Sequence, residues 1–142
     1  MNYKSLKINS ERLNATLQGT CDLFGMDHRY GSKQEETGMC RLTLSDSDKG
    51  VRDWLVNTVK ELGCEVKIDQ MGNMFCFRPG KLDDVPPIAI GSHLDTQPMG
   101  GRYDGILGVQ SGLEVLRTLH DNNYATNYPI CLINWTNEEG AR

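Results

Sequence analysis

Ile88-Ala-Ile-Gly-Ser-His-Leu-Asp-Thr-Gln-Pro-Met-Gly-Gly-Arg-Tyr-Asp-Gly105 is the stretch that decides how the rest of the chain reads. Its first residues, Ile88 to Ile90, form a continuous apolar run of the kind found in a strand buried on both faces. His93, Asp95 and Asp104 follow at once, set among glycines. The same order recurs downstream, where the apolar run Ile130-Cys-Leu-Ile133 leads directly into Asn137-Glu-Glu-Gly140. Between the two runs, from about Ile106 to His120, Val109, Leu113, Leu116 and Leu119 recur at helical spacing, and Asn122-Asn123 closes the pattern. Strand, helix and strand of these lengths make a βαβ unit with parallel strands. The expected fold class is α/β with a mixed, largely parallel sheet.

Upstream, a helix is expected over Asn9 to Phe24, capped by Asn9 or Ser10, with Leu13 and Leu17 on one side and Leu23 a candidate third member. Gly25 to Gly38 reads as a polar loop, in which His28 is a solvated loop histidine rather than a ligand. Ser45 with Asp48 three residues later has the form of a helix cap. Val51, Leu55, Val59 and Leu62 continue it, and Gly63 falls where a C-terminal cap glycine belongs. Cys64 to Asp69 alternates like a strand. Met71-Gly-Asn73 is a turn, and Asn73 to Arg78 is a second strand, so the two form a hairpin.

A length of 142 residues suits one domain or a piece of a larger one. A net charge of -4 without basic runs argues against nucleic acid or an anionic membrane as partner. No apolar stretch approaches the roughly 18 residues of a membrane span. Five cysteines, with no Cys-x-x-Cys pair, fit free thiols in a reducing compartment, and the expected location is the cytoplasm. They argue against a thiolate zinc site.

Ligands of parallel sheets bind beyond the carboxyl ends of the strands. His93 and Asp95 are expected just past one strand, Glu138 and Glu139 just past the other, and Asp104 at the start of the crossover helix. All five therefore share one rim. Carboxylates and an imidazole crowded together call for a cation. A mixed His and carboxylate set suits zinc, manganese, cobalt or nickel better than calcium. Asp104, lying between the clusters, is the natural bridge between two ions, and a carboxylate off the metal is needed to move a proton. The two adjacent glutamates suit that division; spacing does not say which does which. Each feature also has a plain structural reading. Asp-Gly and Gly-Gly are common turn signals, and a glutamate pair on a loop is ordinarily solvated. The glycines around residue 105 lack the Gly-Lys-Ser/Thr and G-x-G-x-x-G patterns of phosphate loops.

Gly91-Ser-His-Leu-Asp-Thr-Gln97, Gly100-Gly-Arg-Tyr-Asp-Gly-Ile-Leu-Gly-Val109 and Thr136-Asn-Glu-Glu-Gly-Ala-Arg142 closely resemble the M20 metallopeptidase-like amidohydrolases. The Gly-Gly-Arg-Tyr-Asp-Gly and Asn-Glu-Glu-Gly forms are similar to the hydantoinase/carbamoylase branch, as are Asp69-Gln-Met-Gly-Asn-Met74 and Met39-Cys-Arg-Leu42. That branch contains carbamoyl-amino-acid hydrolases, allantoate amidohydrolases and β-ureidopropionases, the fungal forms of the last being the most similar. The resemblance implies a zinc-aminopeptidase-like catalytic domain and hydrolysis of the ureido C–N bond of an N-carbamoyl amino acid, first N-carbamoyl-β-alanine. Allantoate or a peptide is the alternative substrate. It implies two divalent ions, zinc first. His93 would hold one, Asp104 bridge both and Glu139 hold the second. Glu138 would be the general base, and Asp95 would orient a ligand imidazole.

The family's other His ligands, its substrate-carboxylate groups and its dimerisation or lid domain lie downstream. Residues 1–142 are therefore expected to be the N-terminal half of the catalytic domain, inactive alone, of an enzyme that is homodimeric at full length. His120, at the far end of the crossover helix, is no substitute ligand. A non-catalytic piece that pairs with a full-length relative is the other reading. In such a piece the strand from Ile130 to Trp135 would be left partly uncovered, with an edge open to pairing.

Overall fold

The computed structural model describes residues 3–28, 33 and 36–142. A 3-10 turn, Tyr3–Ser5, precedes helix α1, Ser10–Leu23. Asn9 caps α1 by accepting the Arg12 amide N–H at 2.9 Å. The buried side of α1 is Leu17, Thr20 and Cys21, while Leu23 is exposed, so the expected stripe ends before it. Two short antiparallel strands, β1 (Met26–Asp27) and β2 (Gly38–Met39), occupy the ends of the stretch read as loop. His28 is exposed. The part of that loop at 29–32 and 34–35 lies outside the described residues.

Helix α2 spans Asp46–Glu61. Ser45 caps it, its hydroxyl accepting the Asp48 N–H at 3.2 Å. At the other end Gly63 takes a φ of 78°, which places its N–H on the Lys60 carbonyl and the Cys64 N–H on that of Val59. That double bond is the glycine-dependent cap the sequence suggests. Strands β3 (Glu65–Ile68) and β4 (Met74–Arg78) form the expected hairpin. Strand β5 (Ile88–His93), helix α3 (Ile106–Asp121) and strand β6 (Ile130–Trp135) complete the βαβ unit, with β5 and β6 parallel as expected.

The four-stranded sheet is mixed, in the order β3-β4-β6-β5, with β4 antiparallel to both of its neighbours. Among the described residues, parallel pairing is confined to β5 and β6. This order corrects two expectations. Strand β6 is not left with an open edge: β4 and β5 flank it, and Ile130 to Asn134 are all buried. Strand β5 is the outer strand, and Ile88 is 56% exposed, so its apolar run is not buried on both faces. An apolar run records what a strand is made of, and the hairpin's choice of neighbour decides which strand lies inside.

Met74, Cys76, Ile130 and Leu132 share one face of the sheet and one core with Leu17, Val51, Leu55, Ile106, Val109, Leu113 and Leu116. All three helices thus lie on that face. The opposite face carries Phe75 against Ile133 and Phe77 against Cys131. Among the described residues no helix is long and apolar enough to cross a membrane.

α1 is pinned to α3 through charge. The Arg12 guanidinium donates to both carboxylate oxygens of Glu114, at 2.8 Å each, and the Asn9 N–H adds a third bond at 3.2 Å. Glu114 is 1% exposed. Burial alone would raise its carboxyl pKa, but Arg12 and Asn9 together outweigh burial and hold it below the usual range. A carboxyl whose folded pKa is depressed stabilises the protein above its unfolded value and loses that contribution as pH falls through the folded value. The melting temperature should therefore drop as pH is lowered from about 5 to below about 4. Glu114→Gln should be less stable at pH 7 and flatter over that window, as thermal melts across the series would read.

Candidate functional site

β5 and β6 end side by side, with His93 in register with Trp135. His93 is the last residue of β5 itself, so the strand runs three residues further than its apolar run suggests. Its side chain is 5% exposed. Nδ1 lies 2.9 Å from the main-chain carbonyl oxygen of Asp95. A carbonyl can only accept, so Nδ1 carries the hydrogen and donates it. Nε2 is then turned to the rim, 3.3 Å from Glu138 Oε2 and 4.0 Å from Asp104 Oδ1. The Asp95 carboxylate stands further off, its Oδ1 3.7 Å from His93 Nδ1. The bond that orients the imidazole therefore comes from the backbone of Asp95, not its side chain.

Asp95 is buried at 3% exposure, and among the described residues its Oδ1 has no hydrogen-bond partner. Its Oδ2 accepts the Glu139 N–H at 3.3 Å, which ties the two clusters together. Glu139 is held a second time by Gln97, whose side-chain amide donates to its carbonyl at 3.0 Å and its carboxylate at 2.9 Å. The adjacent glutamates do point different ways. Glu138 approaches His93, and Glu139 leans on Gln97. The turn between them and β6 depends on Asn137, which sits in the left-handed region at φ 56°.

Two buried arginines fasten this rim from below. Arg41, fully buried, donates from Nε to the Phe24 carbonyl at 2.7 Å, from Nη2 to Thr20 at 2.9 Å and from Nη1 to Leu94 at 3.0 Å. Its backbone also pairs with Thr96. It thus joins the carboxyl end of α1 to the residues flanking Asp95. Burial pushes the guanidinium pKa down to about 10. Arg102 does the same for the segment before α3, donating to Thr37 Oγ1 at 3.0 Å, Gln18 Oε1 at 2.9 Å and Asp22 Oδ1 at 2.7 Å. Arg41→Lys keeps the charge but cannot reach three carbonyls at once. It should cost about 2 kcal/mol in denaturant unfolding.

Gly105 caps α3 at φ 66°, and a Cβ there would fall 2.3 Å from His93 Cε1. The glycine lets the helix start against the imidazole, with Asp104 exposed beside it. All five residues picked from the sequence are therefore gathered on one rim, and His120, exposed at the other end of α3, is not among them. Sequence reading missed Gln97, which carries no signal of its own. It also missed Arg41, whose place between Cys40 and Leu42 marks a lone charge in an apolar segment.

The donor set fits a divalent cation. His93 Nε2 faces two carboxylates, and beside them Asp95 Oδ1 is a buried oxygen without a hydrogen-bond partner among the described residues. The enclosure is incomplete: among the described residues no three His, Cys, Asp or Glu side chains are arranged to hold an ion.

No family model matches the chain. It is similar to an N-carbamoyl-L-amino-acid amidohydrolase of Rhizobium meliloti, 51% identical over 105 residues, which cover 74% of this chain and 25% of that protein. A crystal structure of a hydantoinase/carbamoylase family amidase from Burkholderia vietnamiensis superposes with a TM-score of 0.87 at 43% identity, over 97% of this chain and 32% of that one. The aminopeptidase PepT of Bacillus cereus shares the fold, with a TM-score of 0.67 at 22% identity over 93% of this chain and 38% of its own. The chain spans about a quarter of the length of the curated relatives it matches.

Proposed function

We propose that this chain, a member of the hydantoinase/carbamoylase family of amidases, supplies one part of a site that hydrolyses N-carbamoyl amino acids. The observation that carries the reading is the His93 imidazole, fixed by the Asp95 carbonyl so that Nε2 faces the carboxylates of Glu138 and Asp104. His93, Asp104 and Glu139 would hold two divalent ions, zinc first, with manganese, cobalt or nickel compatible with the same donors. Such ions polarise a carbonyl and make water nucleophilic at neutral pH.

Asp95 and Gly105 keep the imidazole in one orientation. Gln97 and Asp95 immobilise Glu139. Glu138, exposed and anchored by no such pair, takes the proton from the attacking water and passes it to the leaving nitrogen. The C–N bond breaks, the amino acid departs as the amine, and the carbamate breaks down to carbon dioxide and ammonia. Groups that bind the substrate carboxylate, and the remaining metal ligands, would come from sequence that the relatives have beyond the part matched here. N-carbamoyl-β-alanine is the first substrate proposed.

Two measurements test this. Zinc titration of the metal-stripped protein should show binding that His93→Ala removes; no binding by the unsubstituted protein overturns the metal assignment. In a protein carrying the relatives' full length, N-carbamoyl-β-alanine and N-carbamoyl-L-amino acids should be hydrolysed faster than allantoate or a dipeptide. A dipeptide cleaved fastest would make this a peptidase.

A further inference from the structure

The β3–β4 turn is built to reach across to the glutamate loop. Within the turn, Asp69 Oδ1 accepts the N–H groups of Met71 and Asn73 at 2.9 Å each, and the Gly72 N–H meets the Asp69 carbonyl at 3.0 Å. Those bonds close the turn without the side-chain oxygen of Asn73. That oxygen instead accepts the Thr136 N–H at 2.9 Å, while the Asn73 amide nitrogen donates to Asp69 Oδ2 at 2.9 Å. Asp69 therefore fixes which way the Asn73 amide points. The Asn73 side chain, foremost among the donors, keeps the Asp69 carboxyl below its usual range. Arg52 of α2 fastens the same junction, donating to the Gly72 carbonyl and, at 3.2 Å, to Thr136 Oγ1.

Thr136 is two residues before Glu138 and next to Asn137, whose backbone sits in the left-handed region that residues with a side chain seldom adopt. Such a conformation persists where both flanks are anchored. The downstream flank is held by Asp95 and Gln97 on Glu139. The upstream flank is held by Asn73 and Arg52.

We propose that Asn73, oriented by Asp69, is a positioning residue that sets the Thr136–Gly140 turn and with it the approach of Glu138 to His93. Its consequence for metal and catalysis rests on the function proposed above; its effect on the turn does not.

The experiment is amide hydrogen exchange on the intact protein, with zinc titration alongside, for Asn73→Ala and Asn73→Asp. Asn73→Ala should speed exchange at Thr136 to Glu139 by about tenfold, the loss of one hydrogen bond, with Leu132 and Ile133 of β6 unchanged. Zinc affinity should fall about tenfold. Asn73→Asp keeps an acceptor for the Thr136 N–H but loses the amide donor that Asp69 orients and sets a second carboxylate against it, so it should rescue neither readout. Unchanged exchange in the turn, or a uniform rise through β6 and α3, overturns the proposal. So does faster local exchange with unaltered zinc affinity. If the unsubstituted protein binds no zinc, the proposed function fails, and the exchange data still decide the role of Asn73.

Discussion

Gly105→Ala should lower stability by about 3 kcal/mol and abolish zinc binding at His93. Two effects combine. At φ 66° with ψ −54°, outside the left-handed helical region, any side chain is strained by about 1–3 kcal/mol. The new methyl would also sit 2.3–2.4 Å from three atoms of the His93 ring, well inside contact distance. The ring cannot swing aside cheaply, because the side chain is 5% exposed and its Nδ1 is bonded to Asp95. The backbone cannot retreat either, because Ile106, the next residue, is fully buried in the core. Denaturant unfolding reads the first effect and calorimetric zinc titration the second. A variant within about 0.5 kcal/mol of the parent would show that the helix start yields easily and is not a rigid backstop for the imidazole.

Much of this frame is legible in the sequence because local rules and the final structure agree. Ser45 and Gly63 mark α2 at its two ends, and each makes the bond its position suggests, while the Asp48 carboxylate takes the Leu44 N–H rather than that of Ser45. The βαβ unit is equally clear, since two apolar runs around an apolar helical stripe admit few other arrangements. Strand order is not legible in this way. Nothing in Ile88 to Ile90 says that β5 lies outside and β6 inside. That follows from β4 pairing with β6, a contact between residues far apart in the chain. Arg41 is hidden for a related reason: its partners are backbone carbonyls of Thr20, Phe24 and Leu94, which no residue type announces.

The site divides along the same line. Its members are visible because His, Asp and Glu follow strand ends, and strand ends of parallel neighbours share a rim. Their supports are not. Gln97 and Asn73 are ordinary loop amides in sequence, yet one immobilises Glu139 and the other meets the backbone of Thr136. Which glutamate does what is left open by spacing, and the structure now gives the two distinct surroundings. Glu139 is tethered at its N–H, its carbonyl and its carboxylate. Glu138 has a half-exposed side chain whose carboxylate stands 3.3 Å from His93 Nε2.

That contrast leads to the largest catalytic effect. On the function proposed above, in a protein carrying the relatives' full length, Glu138→Gln should cut kcat by about 10²–10⁴-fold while KM moves by no more than a few-fold, because the amide keeps the shape but cannot accept a proton. Zinc affinity should be unchanged. Glu139→Gln should do the opposite first, weakening zinc by about tenfold or more, with activity recovered in part at high zinc. The pair separates proton transfer from metal holding, since each substitution is isosteric and leaves the backbone bonds to Asp95 and Gln97 in place. The proximity of Glu138 to His93 makes the reversed assignment the one to exclude. If Glu138→Gln weakened zinc and added metal restored its turnover, Glu138 would be the ligand, and the proton would have to be carried by another group on the rim. Because the readouts are affinity and kcat taken separately, a general loss of folding, which would lower both and show in thermal melts, cannot pass for either role.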